Sequence, residues 1–240
     1  MKKISLLIVF AFTIGILYYW KTRDALLQVK YDLIHSDEYV DEKAEISKVL
    51  ERYPLIHYKD MDENYLKETK QDIEPFRSML AGASYYKIPQ EAVYKRIVGN
   101  FRIKHFLPKD SFYKQSLVTK FDSLHFLVDI EMLYQVLAFQ NKLEDAGYDR
   151  DAFTITNGYR HPQYNEAIGG ASQSRHIVGE AVDITAKDVN QDGKANQEDK
   201  AIILAIAEDV VGNKGGVGMY PNTLSIHMDS RGHRARWDSF

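Results

Sequence analysis

The chain has 240 residues, 45% hydrophobic and 27% charged, enough for one sizeable core and a smaller attached region. A net charge of −3 excludes the strongly basic surface that nucleic-acid binding needs, so no nucleic-acid partner is expected. The lack of cysteine excludes disulfides, thiolate metal sites, a cysteine nucleophile and a lipid-modified cysteine.

Lys2 and Lys3 precede an uncharged run, Ile4–Trp20, which is followed by Lys21 and Arg23. As a helix the run spans about 25 Å, slightly short of a bilayer's hydrocarbon core. It is longer than a usual signal-peptide core, and no Ala-x-Ala-like site follows it. Tyr18, Tyr19 and Trp20 stand where an aromatic belt would lie. The expectation is an uncleaved signal anchor over residues 1–21, a membrane helix holding the protein to the inner or cytoplasmic membrane of the cell envelope. The bulk of the chain would then face the periplasm or exterior. A cleaved signal peptide, leaving a secreted protein, is the alternative.

From Thr22 onward the chain is charged, aromatic and poor in glycine. Ala25, Leu26, Val29 and Leu33 recur near helical spacing, as do Ile46, Val49 and Leu50, and then Leu66, Ile73, Phe76, Met79 and Leu80. Pro89 precedes a candidate helix start at Glu91-Ala92-Val93. Residues 22–115 are therefore expected to form a helical, membrane-proximal region without a catalytic constellation.

Asp129 is placed to cap a helix running to about Ala146, with Leu133, Val136, Leu137 and Leu143 on one face and Gly147 as terminator. Ala152–Thr156 reads as a strand feeding the turn-rich Asn157-Gly158-Tyr159-Arg160-His161-Pro162. Ser174–Asp183 carries an imidazole, a glycine turn and a short strand ending in a carboxylate, and Leu224–Asp229 is a second strand-like run bearing His227. Helix, strand, loop and further short strands suggest an α+β domain over residues 116–240.

Two imidazoles and one carboxylate from separate segments, His176, Asp183 and His227, suit a catalytic zinc, which takes three protein ligands and leaves one position for water. By spacing alone, the commoner outcome is a capped loop with a satisfied core histidine. If the strands are extended, Ala181 and Asp183 share a face while Glu180 points away, and His227 and Asp229 share another. Asp229 is thus expected either to orient a ligand imidazole or to take a proton from water. His161 and His233 are spare imidazoles, expected at the surface.

The motifs Gly158-Tyr159-Arg160-His161-Pro162-x-Tyr164-Asn165, Ser174-x-His176-x-x-Gly179-x-Ala181-x-Asp183, Gly216-x-Gly218-x-Tyr220-Pro221, Ile226-His227-x-Asp229 and Arg234-Ala235-Arg236-Trp237 follow one another in order. Together they resemble the zinc D-Ala-D-Ala carboxypeptidase family, in its murein endopeptidase-like branch, over roughly residues 132–237. The resemblance implies a small antiparallel sheet with flanking helices, of the D-Ala-D-Ala metallopeptidase and hedgehog type. It implies zinc on His176, Asp183 and His227, peptidoglycan stem peptides as substrates, and D-Ala carboxypeptidase or endopeptidase activity. Arg160 is implied to anchor a substrate carboxylate or polarise the scissile carbonyl, as a planar guanidinium can. Tyr159, Asn165 and Ser174 are expected beside it in substrate binding. Many relatives carry an acid three residues before the last zinc histidine, where this chain has Leu224. Asp229 is expected to stand in as base. A catalytically silent cell-wall-binding module that keeps the metal fold is the alternative, and a peptidase acting on another exported peptide is a third reading.

Asp188, Asn190, Asp192, Lys194, Asn196 and Asp199 fall at the ligand positions of a calcium loop, with Gly193 at its sixth position. Asp at position 12, where EF-hands carry Glu, resembles dockerin loops. Calcium over 188–199 is expected to stiffen the segment bearing Asp183; an Asx-rich turn without metal is the alternative.

Overall fold

The computed structural model describes residues 18–19, 21–35, 38–110 and 123–238. The chain divides into two compact units, Met1–Glu38 and Tyr39–Phe240. In the first, residues 21–34 are helical, with Leu26, Leu27, Val29, Leu33 and Ile34 exposed. Among the described residues no helix is long and apolar enough to cross a membrane. The run Ile4–Trp20, which carries the anchor expectation, lies outside the described residues apart from Tyr18 and Tyr19.

The second unit joins the two regions that the sequence divides near residue 115. Its upstream part is not purely helical. It holds helices α1 (Lys43–Leu50), α2 (Glu63–Glu68), α3 (Phe76–Leu80) and α4 (Ile103–Phe106), with strands β1 (Leu55–His57), β2 (Ser84–Pro89), β3 (Arg96–Val98) and β4 (Phe101–Arg102) between them. The candidate helix after Pro89 is a short 3-10 turn, Gln90–Tyr94. Strand β5 (Ser123–Phe126) completes a sheet of order β1-β2-β5. The physical reason for the departure is that tyrosine and isoleucine favour strands, and pairing with distant segments satisfies backbone groups that local spacing cannot reveal. Tyr85 and Ile88 of β2 are fully buried in this layer.

Helix α5 (Ile130–Asp145) follows, capped by Asp129, whose carboxylate accepts from Glu131 N at 3.2 Å. It ends in a left-handed glycine: Gly147 (φ +84) and Tyr148 donate to the carbonyls of Glu144 and Leu143, each at 2.9 Å. Met132, Leu133, Val136, Leu137, Phe139 and Leu143 are buried, each contributing about 1.5–3 kcal/mol by removal from water.

The site-bearing sheet contains β6 (Phe153–Asn157), β7 (Ala181–Ala186), β8 (Gly216–Met219), β9 (Ser225–Asp229) and β10 (Ala235–Asp238), with α6 (Pro162–Ala167) after β6 and α7 (Gln197–Val211) after β7. Strand order is β10-β8-β9-β7-β6. Helices α5 and α7 pack together, and α7 covers β8 and β9. The expected α+β architecture is present, with one change: β10 pairs parallel to β8, so the sheet is mixed rather than antiparallel.

Register places the site. Residues directly opposite one another across neighbouring strands share a face. Asn157 lies opposite Asp183, Asp183 opposite His227, His227 opposite Gly218, and Gly218 opposite Trp237. One row of side chains therefore crosses all five strands. A bulge between Ile155 and Asn157 supplies its first member, since regular pairing would have set Thr156 opposite Asp183.

His125 of β5 is buried against the ring of Tyr65, and burial, with Lys87 across the strand pair, lowers its pKa to about 4. Between pH about 6.5 and 4 the unfolded chain then binds a proton that the folded chain does not. This contribution is fully present above pH about 6.5 and is lost as pH falls toward 4, by about 3 kcal/mol. Urea unfolding of wild type and His125→Phe should therefore diverge with pH: the wild type loses stability relative to the variant between pH 7 and 4.5, while a constant difference would refute the assignment.

Candidate metal centre

His176, Asp183 and His227 are buried and converge on one point. His176 Nε2 lies 3.1 Å from Asp183 Oδ1 and 3.2 Å from His227 Nδ1, and His227 Nδ1 lies 3.1 Å from the same Asp183 oxygen. The far nitrogens of the two rings decide what meets there. His176 Nδ1 is 2.7 Å from the carbonyl oxygen of Gly158, which can only accept, so Nδ1 carries the proton and Nε2 a lone pair. His227 Nε2 is 3.1 Å from Asp229 Oδ2 and by the same argument holds its proton there. Two imidazole lone pairs and a carboxylate oxygen thus face one another with no proton between them.

Such a cluster needs a positive charge. Without one, an imidazole must take a second proton. Burial works against that charge on both rings and lowers the pKa of His176. At His227 burial is outweighed by hydrogen bonds to Asp183 and Asp229, and its pKa is raised. Burial also opposes ionisation of Asp183, but the two imidazoles hold its carboxyl well below the usual range. A cation resolves the conflict for all three groups. Ligands 2.0–2.1 Å from a tetrahedral zinc stand about 3.3 Å apart, close to the edges of this triangle, and neutral imidazoles with a carboxylate are zinc donors.

The surrounding shell fixes each ligand. Asp183 Oδ2 accepts from Arg160 Nη2 and, at 3.2 Å, from Asn157 Nδ2, leaving Oδ1 to the triangle. Tyr220 donates to Oδ1 at 2.9 Å. Trp237 packs on the His227 ring at 5.1 Å between centroids. It can do so because a Cβ at Gly218 would lie 2.4 Å from the indole, and Gly216 leaves similar room for the Asp229 carboxylate. Gly158 backs directly onto Phe106 of α4, where a Cβ would meet the Phe106 backbone at 2.6 Å, and Tyr159 N donates to Phe106 O at 2.8 Å. The turn holding His176 thus rests on the upstream part of the same unit.

Several expected roles change. Asp229 is fully buried behind His227, where it also accepts from Gly216 N at 2.8 Å and from the backbone and guanidinium of Arg231. Burial opposes its ionisation, but these donors and His227 hold its pKa far below the ordinary value. Saturated on the ring's far side, it cannot reach a water at the triangle, so of its two expected roles it has the orienting one. Tyr159 is buried with its ring against Tyr85, away from any approach by substrate. Asn165 is also fully buried; its Nδ2 donates to Ala171 O at 2.9 Å and staples the loop before Ser174. Ser174 is half-buried on that loop. His161 is not at the surface: its Nδ1 caps α6 by accepting from Tyr164 N, and its Nε2 meets Asp110 at 3.1 Å. His233 is exposed. Tyr220 and Trp237 stand in the sequence motifs and Asn157 just before the first of them, but only the strand register gives them positions at the site.

The 188–199 loop is closed by its own hydrogen bonds. Asp199 is fully buried and accepts from the backbone N of Val189, Asn190 and Asn196 at 2.7, 3.1 and 2.8 Å, which also caps α7. Asp188 accepts from Asp192 N and Gly193 N at 3.0 and 2.9 Å, and Asn190 Oδ1 from Asp192 N at 3.1 Å. Gly193 has φ +91, which explains a glycine at the sixth position. Among the described residues, the group of His, Asp and Glu side chains gathered closely enough for a metal is His176, Asp183 and His227.

Fold and donor set together give an α+β domain in which three buried side chains, two imidazoles and a carboxylate, could hold one metal ion. Residues 125–229 match the family model described as Peptidase M15, the zinc D-Ala-D-Ala carboxypeptidase type. The family is zinc-dependent. No curated protein matches the chain.

Removal of an outer carboxylate from a metal-bound histidine weakens metal binding without abolishing it, so Asp229→Asn is expected to lower zinc affinity about 10–100-fold. Competition with a chromophoric chelator measures this directly; unchanged affinity would show that Asp229 does not orient His227.

Proposed function

We propose that the protein is a zinc-dependent peptidase that hydrolyses peptide bonds in peptidoglycan stem peptides, as a D-Ala carboxypeptidase or an endopeptidase. The observation that carries this reading is the triangle of His176, Asp183 and His227, whose lone pairs call for a cation. Zinc there would supply a water of lowered pKa and polarise a carbonyl. His176, Asp183 and His227 would hold it, with Gly158 O and Asp229 fixing the tautomers of the two rings. Arg160 is buried beside the triangle and tied to Asp183 through Nη2, and its guanidinium is the group we assign to a substrate carbonyl or terminal carboxylate. Ser174, on the loop before His176, is the remaining substrate-side group. In the cell we place the protein in the envelope, membrane-anchored through residues 1–21 or secreted if that segment is removed.

A second reading is favoured by two observations. Leu224 is half-buried where many relatives carry an acid, and Asp229 is saturated by other donors. A silent module that binds cell-wall peptides around the metal fits both. Purified muropeptides incubated with the zinc-loaded protein separate the two readings. The peptidase reading expects new products by mass spectrometry, absent with His176→Ala and after zinc removal; zinc-bound protein that gives no products supports the binding module.

Calcium in the 188–199 loop is a separable proposal, supported by the ligand spacing, by the half-buried Asp188 and exposed Asp192, and by the conformation of Gly193. Added calcium should raise the thermal midpoint of the wild type, and Asp188→Ala with Asp192→Ala should cancel the rise. An unshifted midpoint at millimolar calcium would exclude the site.

A further inference from the structure

Resting on the peptidase reading, we propose that Tyr220 is a catalytic residue of this site, donating a hydrogen bond to the scissile carbonyl oxygen as that oxygen gains negative charge.

The argument begins with position. Tyr220 is the first residue beyond β8, and its hydroxyl lies 2.9 Å from Asp183 Oδ1, the oxygen that faces both imidazoles. The other donors to the Asp183 side chain, Arg160 and Asn157, go to Oδ2, on the outer side. Tyr220 thus brings an O–H to the inner side of the ligand triangle, within one hydrogen bond of any oxygen that approaches the same ion. Tyr220 is half-buried as a residue, neither sealed in the core nor fully in solvent.

The placement is firm. The carbonyl of Tyr220 accepts from Lys200 Nζ of α7 at 2.5 Å and from Thr223 Oγ1 at 3.0 Å. Lys200 is itself buried and also donates to Thr223 O at 2.8 Å, so an ammonium from the helix clamps the β8–β9 turn that carries the tyrosine. A donor that need not be ordered during reaction is the more effective one.

The chemistry follows from the group itself. A tyrosine phenol ordinarily titrates near 10, so Tyr220 is a neutral O–H at physiological pH, a donor and not a base. When an ion draws on the lone pairs of Asp183 Oδ1, that oxygen becomes a poorer acceptor, and the hydroxyl gains by turning to a carbonyl oxygen that is becoming anionic. No proton need be transferred. The hydrogen bond strengthens as negative charge grows and weakens as the tetrahedral carbon collapses to product, which is the differential stabilisation that accelerates a step.

Zinc-loaded wild type and Tyr220→Phe are compared on a defined stem peptide, together with zinc content and affinity for a phosphinic-acid peptide that mimics the tetrahedral anion. The expected result is a kcat lower by about 10²–10³-fold with KM and zinc content nearly unchanged, and a comparable loss of phosphinate affinity. A kcat within about threefold of wild type overturns the proposal, as does a loss that follows zinc content, which would make Tyr220 a positioning residue for Asp183. A wild type that cuts the peptide while the variant cuts it equally well removes only this inference. Zinc-loaded wild type that cuts nothing removes the peptidase reading, and this proposal with it.

Discussion

Three lone pairs held within 3.2 Å of one another, in surroundings nearly closed to water, are the constraint on which the rest of the site depends. The arrangement is unfavourable until a positive charge enters it, because the two buried imidazole nitrogens face a carboxylate oxygen without a donor of their own. What keeps them together is spread widely. The carbonyl of Gly158 forces His176 into one tautomer, and Asp229 forces His227 into the other. Asp183 is held in orientation because its outer oxygen is matched by Arg160 and Asn157. Remove any of these and the cluster could relieve itself by turning a ring.

The sheet is the device that sets this convergence. A single row, Asn157, Asp183, His227, Gly218 and Trp237, runs across all five strands. Its two ends do different work. At one end the amide of Asn157 holds a ligand by hydrogen bonding; at the other the Trp237 indole, passing over Gly218, braces a ligand by contact. The indole is further held beneath the Arg231 guanidinium, which lies 4.9 Å from the ring and also grips Asp229. The orienting carboxylate and the bracing ring are thus fastened by one side chain.

The three converging side chains were legible in the sequence because their chemistry is distinctive, and because period-two alternation sets His227 and Asp229 on one face. The same alternation could not say that Asp229 would be saturated, since its donors at Gly216 and Arg231 belong to a neighbouring strand and a turn. Asn157 was out of reach because a bulge, not alternation, sets it opposite Asp183. Tyr159 and Asn165 show a different confusion. They stand in the motif because the loop needs them for packing and stapling, and motif membership does not separate that from touching substrate. The strands of the upstream part escaped because each is short and pairs with a segment remote in sequence, as β2 does with Ser123–Phe126. Helix α5, with a local cap, a local stop and one long apolar face, could be read almost to the residue.

The contact between Gly158 and Phe106 bears on what counts as the minimal autonomous piece of this molecule. Family likeness begins near residue 125, and an excision there would look natural. Yet such a fragment would leave the turn that presents Gly158 O without its footing, since Phe106 supplies both the surface beneath it and the carbonyl for Tyr159 N. The sensible truncation point is instead the boundary near Tyr39, and the residues between it and the family-like segment are better regarded as a foundation for the His176, Asp183 and His227 cluster than as a spacer.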